Sequence, residues 1–438
     1  MPVTNRPDLR VSIIEGESVH PNEGVAGSAI RSREQVFQVL HGPHGALRFD
    51  QEDLSKHILF LGGIGTGKTN ALMQLVQSVR DKTNGDDVLV VFDTKADFLR
   101  EFYRPGDAVI SSDPDPAEGG VKWNLFADLI DSDPAERFDQ TYEITSTIFG
   151  DATSPSNENY FFAAAARDVF AAVVEAMNRE DEYYTNAELR ERLEGSVLEL
   201  LDLLSDHPDL AGSARYLQGE RTPEQILAFL QQTLNTSFSG VFRQAGDFSV
   251  REFIRRKGGR TLFIEYDVSM GSRLSPIYRV LMDLAIKEGL GLGRRGVPGN
   301  TFFIMDEFAL LPKLSHVSDG INFGRSLGLK FFVGTQNVNQ VLRAYDNAVG
   351  ASILSGFGTV LAFRLMDTAS RSLVQERYGA NRKQIITFAA VRADGVKQDI
   401  VAGHVIEDWD LSRLKRGQCI ACLPEGPPVL FEFGKHSS

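Results

Sequence analysis

Eight consecutive residues, Gly62-Gly63-Ile64-Gly65-Thr66-Gly67-Lys68-Thr69, fit the pattern G-x-x-x-x-G-K-[ST]. The chemistry of that pattern is phosphate binding. Its glycines allow the tight loop in which successive backbone N–H groups face one anion. The lysine adds a positive charge for the β- and γ-phosphates, and the threonine hydroxyl is a hard oxygen donor suited to Mg²⁺. Lys68 and Thr69 are therefore read as phosphate and metal contacts. Residues 62–69 and the adjoining Asn70 form the nucleotide cradle.

Such a loop needs a second oxygen site. The stretch Phe302-Phe303-Ile304-Met305-Asp306-Glu307 supplies one. Four apolar residues place a strand in the centre of a sheet, and Asp306 emerges at its C-terminal end, where open α/β sheets bind ligands. Asp306 is the candidate for ordering Mg²⁺ through water. Glu307, one residue on, can polarise an attacking water. Alone, two acids after a strand are as often a solvated turn; the loop upstream favours the metal reading. Gln336 closes the next strand, where an amide can sense the γ-phosphate and hold the water. Arg325 is expected toward the end of a helix beginning at Ser315. From there it could serve a neighbouring subunit's nucleotide, although a cation near a helix C-terminus needs no further explanation. From the residues alone, the functional and ordinary readings of Arg325 and Gln336 stand level.

Weaker candidates remain. Asp93 ends a strand read as lying beside the P-loop strand, and Lys95 follows it. These, like Trp123-Asn124, fit a nucleotide contact or a plain turn. Arg251, Arg255, Arg256, Lys257 and Arg260 make the densest basic cluster, with Arg294-Arg295 a smaller one. Phosphate contact and a solvated charged turn are both open, the second being commoner. Cys419-Ile420-Ala421-Cys422 lacks the second ligand pair of a zinc site and is read as structural.

The elements that position these residues follow from periodicity. His57 to Leu61 is a buried strand, and Leu72, Met73, Leu75, Val76 and Val79 share one face of the helix after the loop. Strands are expected at 87–92, 108–110, 261–266, 301–305, 331–335 and 360–363, and helices at 96–102 and 277–292. This alternation indicates an α/β domain with a mainly parallel sheet. Ser32 to Leu40 is expected as one short helix. From about Asp131 to Asp247 the apolar spacing is helical throughout, as in Leu189, Leu193, Val197, Leu200, Leu201 and Leu204. The expected organisation is a lead-in (1–47), the first part of a P-loop core (48–130), an inserted all-α domain (131–247) and the rest of the core (248–438).

The 438 residues carry 46 basic and 59 acidic side chains, a net charge of −13. This excludes a surface that is basic all over, but not a local positive groove or ring channel. Two cysteines suit a reducing compartment. No apolar run reaches the roughly 20 residues of a membrane helix, and no secretory signal opens the chain. A cytoplasmic protein is expected.

In order and spacing these pieces resemble the type IV coupling proteins of bacterial conjugation, the TraD/TrwB group within the FtsK/HerA-like translocases. The resemblance rests on His57-Ile58-Leu59 before the P-loop, Val91-Phe92-Asp93-Thr94-Lys95, and Trp123-Asn124-Leu125-Phe126 before the helical stretch. It continues through Phe303 to Phe308, Leu311-Pro312-Lys313-Leu314, Gly324 to Leu329, and Gly334-Thr335-Gln336. It implies a RecA-like ATPase core that forms a ring, typically hexameric, and drives DNA without sequence preference, with ATP and Mg²⁺ as cofactors. It places Arg325 at the arginine-finger position and Gln336 at the sensor glutamine. Relaxase or secretion-channel proteins are implied partners. The family's N-terminal membrane helices have no counterpart here, so either the chain is a soluble relative or a separate subunit recruits it to the inner membrane. Two rival expectations are a soluble translocase in DNA processing or defence, and a receptor that docks protein cargo on the acidic helical insert.

Overall fold

The computed structural model describes residues 9–21, 24–27, 36–116, 118–129, 133–150, 152–153, 159–180, 182–218, 222–388 and 396–436. They form two compact units: Met1–Asp87, Gly296–Pro312 and Ser318–Ser438 make one, and Val88–Arg295 with Lys313–Val317 the other. The fold is α/β, and the sheet is mainly parallel.

In the first unit the strands lie in the order His20–Pro21, Val429–Glu432, Gln418–Cys422, Thr359–Ala362, Ile58–Leu61, Leu329–Thr335 and Thr301–Met305. The last four run parallel. Every residue of those four strands is buried. Their near-continuous apolar runs are what a parallel sheet covered on both faces requires. The P-loop strand, Ile58–Leu61, pairs with Leu329–Thr335 on one side and Thr359–Ala362 on the other. The strand ending at Asp93 is therefore not its neighbour, contrary to the sequence expectation. Both candidates were short apolar runs, and strand order is a non-local property that neither run encodes.

The expected helix at 32–40 is also corrected. Residues 32–35 lie outside the described residues, but Val36–Gly42 is a strand antiparallel to Gly45–Asp50. Gly42-Pro43-His44-Gly45 makes the intervening turn. The β-branched residues at 36 and 39 suit the pleat better than a helix. A further three-stranded sheet joins Leu9–Glu15, Ala380–Phe388 and Val396–His404.

His57 pins the P-loop strand to its surroundings. It is buried; its Nε2 lies 3.0 Å from the Ile321 carbonyl, and its Nδ1 accepts the Phe331 N–H at 3.2 Å. That pattern requires the neutral tautomer with a proton on Nε2. Burial pushes its pKa down from 6.5 to about 4, although the bond to Ile321 opposes this. The unfolded chain then binds a proton that the folded chain refuses, so the His57 contribution is intact above pH 6.5 and falls between pH 6.5 and 4. Acidification from pH 7 to 5 is expected to cost about 2 kcal/mol through this residue. The His57→Asn variant should show a smaller shift of the urea midpoint over that range than the parent; an equal shift rules the assignment out.

In the second unit, Val88–Asp93, Arg260–Glu265 and Ala108–Ile110 form parallel pairs. Between Pro134 and Arg243 the described residues contain helices and turns but no strand. Trp123 and Asn124 are internal pins. The Trp123 indole donates to Asp128 at 2.7 Å, and Asn124 donates to the Tyr184 carbonyl at 3.0 Å. Most of the basic cluster is engaged in ion pairs or ring contacts, although Arg256 and Arg295 remain exposed. Arg251, Arg255 and Arg295 meet the Glu288 carboxylate at 3.1, 2.9 and 2.8 Å. Burial of Glu288 favours protonation, but the guanidiniums hold its carboxyl below the usual range. Arg256 pairs with Glu252, and the Arg260 guanidinium lies over the Phe253 ring.

No helix among the described residues is long and apolar enough to cross a membrane. Both cysteines are buried in Gln418–Cys422, and burial pushes the Cys422 thiol up to about 12, which keeps it protonated.

Candidate nucleotide site

The site is assembled at the C-terminal ends of the parallel strands of the first unit. Ile58–Leu61 leads into the loop, and the helix Lys68–Arg80 follows. Its buried stripe is Ala71, Leu72, Leu75, Val76 and Val79, with Met73 at the margin. Burying each of these larger side chains contributes about 1.5–3 kcal/mol, which holds the helix start in place. Gly67 caps the helix at φ +112°, a conformation closed to side-chain-bearing residues. The helix N-terminus is thereby directed at the loop.

Lys68 is buried, and its ammonium donates to the carbonyls of Gly62 and, at 3.2 Å, Gly63. The Thr69 hydroxyl lies 3.1 and 3.3 Å from the two carboxylate oxygens of Asp306. These residues are 237 apart in the chain. They meet because Thr301–Met305 and Ile58–Leu61 both pair with Leu329–Thr335 in parallel register. A hydroxyl and a carboxylate side by side are the hard oxygen donors that Mg²⁺ takes, with water completing its octahedron. The donor set fits that ion.

Glu307 is next to Asp306, and Gln336 donates its amide to the Glu307 carboxylate at 2.8 Å. The turn Phe308–Leu310 after Glu307 is held by Phe308 stacking on Tyr345 with ring centres 4.9 Å apart. Acid, amide and metal donors therefore converge on one end of the sheet.

Arg325 is placed differently from the expectation. The helix is Val317–Phe323, and Arg325 sits in the single 3-10 turn Gly324–Leu327 that follows. The Asp283 carboxylate accepts the N–H groups of Ser315 and His316 just before the helix, at 3.0 and 3.1 Å. Arg325 is about half exposed and meets Glu52 at 3.2 Å. Asn70 turns from the loop toward the C-terminal segment: its amide donates to the Gly434 carbonyl at 2.9 Å and accepts the His436 N–H at 2.8 Å. Sequence reasoning missed two segments that touch the loop. The Arg364 carbonyl accepts the Gly63 N–H at 3.3 Å, and the Gly417 N–H donates to the Thr66 carbonyl at 2.8 Å. Neither carries a local motif, and only the fold brings them there.

A family model for the type IV secretion-system coupling protein DNA-binding domain matches residues 43–430. The chain belongs to that family. The fold agrees with this membership. The structure is similar to that of the bacterial conjugative coupling protein TrwB in an unbound form, with a TM-score of 0.73 and 18% identity over 92% of this chain and 90% of that one. It is equally similar to TrwB in complex with a non-hydrolysable ATP analogue, with a TM-score of 0.73 and 17% identity over 97% and 95% of the two chains. A more distant likeness is to VirB4 of Thermoanaerobacter pseudethanolicus, with a TM-score of 0.57 and 13% identity over 93% and 99%. Comparison with curated protein sequences finds no match.

Proposed function

We propose that this coupling-protein family member is an ATP-driven DNA translocase that hydrolyses ATP between the subunits of a ring, in the manner of conjugative coupling proteins. The observation that carries the reading is the meeting of Thr69 with the Asp306 carboxylate at 3.1–3.3 Å. A phosphate loop and an acid from a distant strand that share one position make a metal-assisted phosphoryl-transfer site. Complexes of TrwB with ADP and Mg²⁺ and with an ATP analogue support the choice of nucleotide.

In this reading Lys68 and the loop N–H groups bind the β- and γ-phosphates. Thr69 and Asp306 hold Mg²⁺, which neutralises charge on the phosphate oxygens when bound. Glu307 takes the proton of the attacking water, and Gln336, bonded to it, keeps its carboxylate aimed. Arg325 reaches the neighbouring subunit's site, exchanging its exposed partner Glu52 for transition-state charge. The helical stretch, residues 131–247, acts as the inserted domain. The resemblance points to a hexameric ring.

The test is ATP turnover with and without single- or double-stranded DNA across low and moderate salt. Turnover should rise with DNA, and the rise should weaken as salt increases, because phosphate-dominated binding releases counterions. A flat response at every salt concentration refutes DNA translocation and favours docking of protein cargo.

A further inference from the structure

The loop that carries Lys68 is gripped on both limbs by segments from the far end of the chain. On the first limb the Gly63 N–H donates to the Arg364 carbonyl at 3.3 Å. Gly62 lies so close to Phe363 that an added Cβ would sit 2.6 Å from the Phe363 Cβ. On the second limb the Gly417 N–H donates to the Thr66 carbonyl at 2.8 Å, and a Cβ on Gly67 would lie 3.1 Å from the Gly417 backbone. The two arms are tied to each other as well. Phe433 donates its N–H to the Gly417 carbonyl at 2.9 Å, and its ring stacks on Phe363 with centres 5.8 Å apart. Two of the loop's glycines thus serve close backbone approach in addition to phosphate binding.

Each arm carries an exposed arginine beside its loop contact: Arg364 itself, and Arg416 immediately before Gly417. Neither guanidinium has a hydrogen-bond or ion-pair partner among the described residues. Nearby arginines are engaged, Arg371 with Asp408 at 2.8 Å and Arg377 with the Gly358 carbonyl at 2.7 Å. Two cations without an ion-pair partner, one on the residue whose carbonyl bonds to the phosphate loop and one immediately before the residue whose N–H does, add positive charge to both its flanks. Guanidinium is the group best shaped to take phosphate oxygens in pairs.

We propose that Arg364 and Arg416 bind the nucleotide's phosphates in cis, flanking the Lys68 loop. This rests on the nucleotide site described above. Because the contacts come from the subunit that owns the loop, they require no neighbour, and because they go to the phosphates that ADP and ATP share, they act on both.

The experiment titrates the full chain, with Mg²⁺, against fluorescent ADP and a fluorescent non-hydrolysable ATP analogue. The proteins are the parent, Arg364→Ala, Arg416→Ala, the double variant, the two Arg→Lys variants, and Lys68→Ala as reference. Loss of one charge-assisted contact should weaken both nucleotides about 10-fold, and loss of two about 100-fold. The lysine variants should recover part of the loss. DNA affinity measured without nucleotide should not change. Unaltered nucleotide affinity in the double variant, with Lys68→Ala failing to bind, overturns the proposal and leaves the site intact. Loss of DNA affinity with nucleotide affinity preserved also overturns it, assigning the arginines to the DNA path. Normal binding by Lys68→Ala would instead remove the site itself, and the proposal with it. Both arginines are exposed, so the variants should keep the parent's unfolding midpoint.

Discussion

The Lys68→Ala variant should hydrolyse ATP at the background rate, with turnover lowered by at least about 100-fold. Lys68 sits at the first position of the loop helix, buried, with its ammonium held by the Gly62 and Gly63 carbonyls. An ammonium fixed there is already desolvated, and under the proposed function it neutralises charge as the γ-phosphoryl leaves. Alanine removes the charge but leaves the helix start, since alanine is the best helix former and the buried stripe beginning at Ala71 is untouched. Phosphate release measured beside the urea midpoint separates the two effects: activity should vanish while the midpoint holds. Persistent turnover in a folded variant would place hydrolysis elsewhere.

A second large effect is expected at Arg325. Arg325→Ala should lower turnover by about 1,000-fold while ATP affinity stays near the parent's, since an arginine finger acts on the transition state. Its ion pair with Glu52 is exposed on both sides, and such pairs contribute at most about 1 kcal/mol, so folding should survive. Glu307→Gln should also be inactive, because the amide cannot accept the proton of water. Mixing the two inactive proteins is the decisive measurement. Where an Arg325→Ala subunit holds the nucleotide, its Glu307 is intact, and a Glu307→Gln neighbour supplies an intact arginine. Such interfaces should turn over ATP, so the mixture should exceed either parent variant. If no mixing ratio recovers activity, Arg325 does not act across the interface.

The parts of this site that were legible in the sequence are those governed by near neighbours in the chain. A run of apolar residues, a glycine loop, and apolar positions at 72, 75, 76 and 79 are enough to specify strand, turn and helix. The same holds for Thr301–Met305 ending at Asp306, because a fully buried parallel strand is written as a continuous apolar run. Residues 36–40 were misread because five residues rich in Val, Phe and Leu satisfy either period over so short a span. Pairing with Gly45–Asp50 decided for the strand.

Other features depend on which elements become neighbours, and this is where tertiary structure decided. Strand order put Leu329–Thr335 and Thr359–Ala362, not the Asp93 strand, beside the P-loop strand. Glu288, from a helix more than thirty positions beyond Arg251 and Arg255, draws both into one ion-pair network, where the sequence had left phosphate contact and the commoner solvated turn both open. Arg364 and Gly417 carry no motif, yet their backbones reach the loop that holds Lys68. Local sequence determined the chemistry that each element could offer, because backbone preference and side-chain period act over a few residues. The folded chain alone determined which of those groups face one another, because that depends on packing and charge contacts among residues hundreds of positions apart.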